Sequence, residues 1–310
     1  MKLLFVSSGN KTIKVSEIIK NQGDSLVSKG WDVDYFLIKG SGLTGYLRNI
    51  IPLRKVLVNN NYNIIHAHYF FSAIVASFTF KKPVIVSLMG SEVSKSNIYL
   101  SLIKFFNKKF WSGCIVKTNK MKEALKTQNI NVLPNGVDMK RFMPLDKSFC
   151  QKKLNWLPEK KHVLFASWPE RPEKNFQLAK DSVTLLPSEN IELHYLKGIP
   201  NDQIIYYYNA ADVVLLTSKR EGSPNVIKEA MACNRPIIST DVGDVSELVR
   251  NLGNCYITSF DPSEIAGCIS KALKCNSLPD GRKRLIELGL DSESVADKLI
   301  LLYEKAIGRN

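Results

Sequence analysis

Short runs of β-branched and apolar residues alternate along this chain with segments of helical period, and that alternation constrains the fold more than any other feature. In the first half the runs are Lys2–Ser7, Trp31–Ile38, Tyr62–His66, Pro83–Leu88, Cys114–Val116 and Asn131–Leu133. Helical stretches at Lys11–Lys29, Thr44–Asn59, Tyr69–Thr79, Asn97–Phe110 and Lys120–Thr127 separate them. The second half repeats the pattern, with runs at His162–Ala166, Ile191–Leu196, Val213–Thr217, Pro236–Thr240 and Cys255–Ile257. Its helices are expected around Lys174–Leu186, Asn201–Ala210, Asn225–Cys233, Val245–Asn251 and Pro262–Lys274. Regular βα alternation with short connections builds parallel sheets covered by helices on both faces. Two such sets predict an α/β protein of two Rossmann-like domains whose parallel sheets face across a cleft. Ligands then gather beyond the carboxyl ends of the strands.

A length of 310 residues suits two domains of roughly 150 residues each. The joint falls after Pro134-Asn135-Gly136-Val137-Asp138, which places an N-terminal domain at 1–146 and a C-terminal domain at 147–290. Residues 291–310 read as a helix with Leu299, Ile300, Leu302 and Tyr303 on an apolar face, packing back toward the first domain. At 45% hydrophobic and 23% charged, the chain is neither disordered nor low in complexity. No apolar run approaches the roughly 18 residues needed to span a bilayer. The apolar core of Met1–Gly9 is too short for a signal peptide and reads as a first strand. Six scattered cysteines with no C-x-x-C pair argue against a disulfide framework or a zinc site, and for reduced thiols in the cytoplasm.

Charge is strongly segregated. Residues 1–150 carry 22 Lys and Arg against 8 Asp and Glu, whereas residues 151–310 carry 21 of each. An excess confined to one half points to an anionic partner for that half, nucleic acid or a phosphate-bearing membrane surface. The stretch Asn97–Phe110 (NIYLSLIKFFNKKF) sets Ile98, Leu102, Phe105 and Phe106 in one helical stripe beside Lys104, Lys108 and Lys109. That pattern suits an interfacial helix on anionic lipid, or a core-packed helix with a solvated basic face. Together with the charge it favours a protein peripheral to the inner face of the cytoplasmic membrane over a nucleic-acid binder.

Several chemistries drop out on their motifs. The first βα turn, Ser7-Ser8-Gly9-Asn10-Lys11, lacks G-x-G-x-x-G, and neither a G-x-x-x-x-G-K-[ST] loop nor a G-x-S-x-G elbow occurs. The most informative segment is Tyr207–Val249 (YYNAADVVLLTSKREGSPNVIKEAMACNRPIISTDVGDVSELV). An apolar strand ends there in a polar loop, and Ser223-Pro224 opens a helix, Ser223 as N-cap and Pro224 at the first position. The free N–H groups of Asn225 and Val226, with the helix dipole, make a phosphate site. Glu221 and Glu229, eight residues apart around that helix start, are placed to accept hydrogen bonds from sugar hydroxyls. A nucleotide-sugar combines both features.

This segment resembles the glutamate–seven–glutamate signature of the retaining, GT-B-fold glycosyltransferases of family 4. Other stretches are similar to that family in the expected order. They are Ile64–His68 followed by Ser72-Ala73, Pro83–Val93 (PVIVSLMGSEV, with Met89 where the family usually has His), Leu133–Pro144 (LPNGVDMKRFMP) and Phe165–Phe176 (FASWPERPEKNF). The match covers most of residues 62–260. The resemblance implies a GT-B architecture and assigns Arg171 and Lys174 to the donor diphosphate, although the family usually spaces these two further apart. It implies that Glu229 accepts from the donor ribose and Glu221 from the transferred sugar, with Gly222, Ser223, Asn225 and Val226 around the diphosphate or sugar. Leu196-Lys197-Gly198 would meet the base, and His68 would face the reacting sugar. Gly9 takes the first glycine-loop position, where the family often has two glycines, and Gly90 and Ser91 would line the acceptor side.

The implied activity is retaining transfer of a sugar from a nucleotide-diphosphate sugar to a saccharide or lipid-linked saccharide in bacterial cell-surface glycan biosynthesis. The leaving diphosphate would take the acceptor proton itself. No cofactor and no metal is expected, since no D-x-D cluster stands in a plausible place. The competing readings are a non-catalytic accessory subunit, which would have lost the site residues retained here, and a sugar-nucleotide epimerase of the same fold, which would need more acid–base groups around the sugar.

Overall fold

A computed structural model describes residues 1–9, 14–81, 83–90, 92–93, 97–187 and 190–308. They form two compact units, Met1–Gly136 joined by the C-terminal segment from Ser292, and Val137–Asp291.

In the first unit β1 (Lys2–Ser8), β2 (Asp32–Ile38), β3 (Ile64–His68), β4 (Val84–Ser87), β5 (Gly113–Val116) and β6 (Ile130–Val132) make a six-stranded sheet in the order β2-β1-β3-β4-β5-β6. Every pairing is parallel. All residues of β3, β4 and β5 are buried, whereas the edge strand β2 is largely half-buried. Central parallel strands covered on both faces have no polar side to display, hence their unbroken apolar runs. The pleat still sorts them. Leu4, Val6, Ile65, Ala67 and Val86 join Leu53, Phe70, Ile103 and Trp111 in one core, while Leu3, Phe5, Ile64, Ile85 and Ile115 join Ile19, Leu26, Leu299 and Tyr303 in another.

The terminal helix Ser292–Ala306 therefore lies with the helix Glu17–Val27 on the second of these faces. Its Tyr303 hydroxyl is hydrogen-bonded to His66 Nδ1 at 2.6 Å, and His66 Nε2 is hydrogen-bonded to Ser87 Oγ at 2.9 Å. Both rings are completely buried, and burial holds His66 neutral, well below its ordinary pKa. Tyr303→Phe strands His66 Nδ1 without a partner and is expected to cost about 1–3 kcal/mol in denaturant unfolding. An unchanged midpoint would mean that the bond contributes nothing.

The change of unit falls at Gly136/Val137, short of residue 146. Val137 N–H donates to Leu290 O at 2.9 Å, Val137 bridges Asp291, and Val137 and Phe142 are buried in the core of the second unit. That unit holds β7 (Lys161–Phe165), β8 (Ile191–Tyr195), β9 (Val213–Leu216), β10 (Ile237–Thr240) and β11 (Cys255–Thr258), all parallel in the order β11-β10-β9-β7-β8.

Helices depart from expectation more than strands do. The single helix expected at 44–59 is two, Gly42–Leu47 and Ile50–Asn59, because the Asn49 amide between them donates to Lys39 O and Gly45 O. Lys147–Leu154 and Gly281–Glu287 are additional helices too short to show a period, the first capped by Asp146 accepting from Phe149 N–H at 2.7 Å. In the helix Asn97–Lys109 the expected four-residue stripe divides. Ile98, Leu102 and Phe105 are exposed, but Phe106 turns inward against Phe70 and Trp111. Counted by unit, the first carries 22 Lys and Arg against 9 Asp and Glu. All six cysteines are free thiols. Among the described residues no helix is long and apolar enough to cross a membrane.

Candidate active site

In the second unit the site is built on loops leaving the carboxyl ends of β7 and β9. Beyond β9, Thr217 Oγ1 donates to Lys174 O and Asn175 O at 3.1 and 2.9 Å, and Lys219 N–H donates to Glu173 O at 2.9 Å. These bonds stitch the two loops together and bring the Lys174 ammonium onto Glu221 Oε1, the two side chains only 8% and 15% exposed. Lys174 was expected to open a helix. It instead ends the 3-10 turn Pro172–Lys174, and Asn175, at φ 56°, redirects the chain into the helix Phe176–Thr184. Arg171 is not gathered with this pair: its side chain is 53% exposed and donates from Nε and Nη2 to Glu173 Oε1 of its own loop.

The helix carrying the second glutamate runs Asn225–Ala232, so Pro224 occupies the cap position and Ser223 does not cap it. The reason is chemical: Ser223 Oγ accepts from Lys228 Nζ at 3.2 Å and bonds to the Asp244 carboxylate. With no side chain capping it, the helix keeps its first N–H groups available to an anion. Asn225 Oδ1 beside them is buried with no partner. Glu229 accepts from the fully buried Tyr208 hydroxyl at 2.8 Å, and burial raises its carboxyl pKa. Gly243, at φ 62°, abuts the loop so closely that a Cβ there would stand 2.1 Å from Gly222 O. Gly198 follows β8 at φ 67° in open space. A cation, free helix N–H groups and two carboxylates thus share one strand-end region, a set able to hold a diphosphate and to accept from hydroxyls.

In the first unit the expected residues sit at strand ends. Gly9 follows β1, donates to Ile38 O at 2.8 Å, and would place a Cβ 3.0 Å from Leu37 Cβ. His68 was expected beyond its strand but is the last residue of β3, 2% exposed, with no partner for either ring nitrogen. It stacks on His66 with centroids 4.3 Å apart, and burial lowers its pKa to about 3, so it is neutral. Gly90, at φ 119°, follows β4 and donates to Glu92 Oε2 at 3.0 Å. Ser91 lies outside the described residues. Sequence reasoning passed over two buried ionisable residues here: Lys117, directly beyond the apolar strand β5, and Glu92, in the loop after β4.

Residues 21–141 match the model of Glycosyltransferase Family 4, and residues 173–290 match that of Glycosyl transferases group 1. The chain belongs to glycosyltransferase family 4. This family 4 protein is 29% identical over 236 residues to TuaC of Bacillus subtilis, a glycosyltransferase assigned to teichuronic acid biosynthesis, an alignment spanning 67% of this chain and 61% of that one. It is 29% identical over 211 residues to the MMP α-(1→4)-mannosyltransferase of Mycolicibacterium hassiacum, spanning 60% of this chain and 51% of the relative. It is 24% identical over 260 residues to the UDP-Gal:α-D-GlcNAc-diphosphoundecaprenol α-1,3-galactosyltransferase of Escherichia coli, spanning 69% and 67%. The chain thus spans between half and about two thirds of the length of these relatives. Among solved structures it resembles sucrose-phosphate synthase of Thermosynechococcus elongatus (TM-score 0.82, 16% identity, 100% and 99% of the two chains). It also resembles Anabaena HepE in complex with UDP and glucose (TM-score 0.79, 16% identity, 98% and 100%). The shared architecture is the GT-B fold.

Within this GT-B protein the residues least legible beforehand are Lys228 and Asp244. Lys228 stands next to Glu229 in the segment Val226–Cys233, whose other residues are apolar, and a charge in that setting was its only signal. Its ammonium is completely buried, facing Ser223, Asp244 and Glu229, and burial lowers its pKa to about 8. Asp244 is buried with Oδ1 unpartnered, and burial raises its carboxyl. Below about pH 8 Lys228 is charged in folded and unfolded chains alike, so the cost of burying the cation is carried in full. Between about 8 and the ordinary 10.5 the folded chain has released this proton and the unfolded chain still binds it, so stability from this group rises with pH. Lys228→Met is expected to lack that rise. Urea midpoints at several pH values across this window check it: the difference between variant and wild type should change in favour of wild type, and a constant difference would refute the buried-cation account.

Proposed function

We propose that this family 4 protein transfers a sugar from a nucleoside-diphosphate sugar to a saccharide or lipid-linked saccharide acceptor in bacterial cell-surface glycan assembly. Transfer retains configuration and needs no metal ion. The observation carrying the reading is the Lys174–Glu221 pair beside the uncapped start of the helix Asn225–Ala232, with Glu229 on that helix. A diphosphate calls for a cation and convergent N–H groups, whereas sugar and ribose hydroxyls call for carboxylate acceptors. In this reading Lys174 and the helix start hold the departing diphosphate, with Gly222, Ser223, Asn225 and Val226 around it. Glu221 accepts from the transferred sugar; Glu229 accepts from the ribose; Gly198 meets the base. Arg171 joins the diphosphate only after leaving Glu173. As the bond from the anomeric carbon to the diphosphate breaks, the acceptor oxygen attaches on the same face and its proton passes to the diphosphate. His68 offers the sugar a neutral, unpartnered imidazole, and Gly9, Gly90 and Ser91 belong to the acceptor side.

The lipid-linked acceptor is favoured by the basic first unit and its exposed Ile98, Leu102 and Phe105 beside Lys108 and Lys109, a surface suited to the anionic inner face of the membrane. The Escherichia coli relative, whose acceptor is a diphosphoundecaprenol-linked sugar, fits the same choice.

Calorimetric titration of UDP-, GDP-, ADP- and CDP-linked sugars tests the donor site, beginning with UDP because HepE was solved with it. One nucleotide class should bind wild type and bind Glu229→Ala at least about tenfold more weakly, the loss of a charge-assisted hydrogen bond. Failure of every nucleotide to bind a folded sample would defeat the proposal.

A further inference from the structure

The second unit carries a cluster on β7 and β8, among residues that are not part of the candidate donor site. His162 lies near the start of β7, and Glu192 and His194 lie two residues apart on β8, so the two share a face. The parallel register pairs His162 with Glu192 and Leu164 with His194. The resulting distances are 3.0 Å from His162 Nδ1 to His194 Nε2, 3.7 Å from His162 Nδ1 to Glu192 Oε2, and 3.6 Å from His194 Nε2 to the same oxygen.

We infer that His162, His194 and Glu192 form a binding site for a zinc-class divalent ion. The three ligand atoms lie at the corners of a triangle with sides of 3.0–3.7 Å. Tetrahedral zinc at about 2.0–2.2 Å from nitrogen and oxygen requires separations of about 3.3–3.5 Å, so an ion fits with small side-chain adjustments. The tautomer is set correctly. His162 Nε2 lies 2.9 Å from Leu157 O, and since a carbonyl only accepts, the proton is on Nε2 and the Nδ1 lone pair faces the cluster. Orientation of a ligand imidazole through a second-nitrogen bond to a backbone carbonyl is the usual support for metal binding. Without metal, His194 Nε2–H donates to that lone pair; with metal, His194 carries its proton on Nδ1 and both nitrogens face the ion. Lys160 engages Glu192 through Oε1 at 2.6 Å, leaving Oε2 to the cluster. Trp156 stacks on His194 with centroids 3.6 Å apart and fixes the ring plane. His162 is fully buried, whereas the side chains of Glu192 and His194 are partly exposed, which gives the ion an entry and water the fourth position. Imidazole and carboxylate together suit zinc among the common divalent ions. The ion ties the edge strand β8 to β7.

Untagged, chelator-stripped protein titrated with Zn2+ by calorimetry should bind one ion. Co2+ should give tetrahedral visible absorption without thiolate charge transfer, and Cu2+ should quench Trp156. His194→Gln and Glu192→Gln, chosen because neither position is fully buried, should each weaken binding at least about tenfold, more than outer-shell losses alone cost. Zn2+ should raise the unfolding temperature of wild type and not of the variants, each compared with its own metal-free transition. All measurements use a Cys275→Ser background, since that thiol is exposed. No binding, or binding that both substitutions leave unchanged, overturns the site.

Discussion

Lys174→Ala is expected to lower transfer by about 10²- to 10³-fold in kcat, the cost of removing a preorganised donor from charge that develops in the transition state. The departing diphosphate gains negative charge as the anomeric bond breaks, and in the proposed site the Lys174 ammonium is a cation beside the helix start. The variant also leaves Glu221, itself largely buried, without its counter-charge. Loss of one partner of such a pair costs about 3 kcal/mol, so unfolding should shift as well. Lys174→Ala combined with Glu221→Gln separates the two effects: stability should largely return, and kcat should not. Lys174→Arg should keep part of the activity. Recovery of kcat in the double variant would show that the lysine only balances the carboxylate, and the diphosphate role would fall.

Gly243→Ala is expected to abolish measurable donor binding and to destabilise the second unit by roughly 2–4 kcal/mol. The left-handed backbone at φ 62° costs a side-chain-bearing residue about 1–2 kcal/mol. A Cβ 2.1 Å from Gly222 O cannot be accommodated by a side-chain rotation, because the obstacle is backbone. The loop Glu221-Gly222-Ser223 must move, displacing Glu221 from Lys174 and Ser223 from Lys228. Gly267, within the helix Pro262–Lys274 and with open space at its Cβ, supplies the contrast. Gly267→Ala should be neutral or stabilising by about 0.5–1 kcal/mol and bind donor normally. Equal behaviour of the two variants in thermal unfolding and nucleotide titration would refute the close-approach account.

The amino-acid sequence alone determined the eleven strands, the α/β class and the helix start that falls between Glu221 and Glu229. Each is a local signal: continuous apolar runs for buried parallel strands, a 3.6-residue period for helices, and an eight-residue interval between two carboxylates. The apolar face of the closing helix was legible in the same way, but not that its Tyr303 reaches His66, a partner 237 residues away. Signals weaken where an element is too short to repeat, hence the missed helices Lys147–Leu154 and Gly281–Glu287 and the misplaced cap at Ser223. His68 was placed beyond its strand because the strand was ended two residues early; two residues of extension carried it into a fully covered sheet. Register and side-chain convergence were decided only by the tertiary structure. The burial of Lys228 against Asp244 depends on how the helix Asn225–Ala232 meets the segment after β10, and the approach of His162 to Glu192 and His194 depends on which residues of β7 and β8 stand side by side. A local pattern specifies which residues form a strand or helix and which face they share. It carries no term for the distant chain that covers that face, and burial, pKa and ligand geometry all follow from that cover.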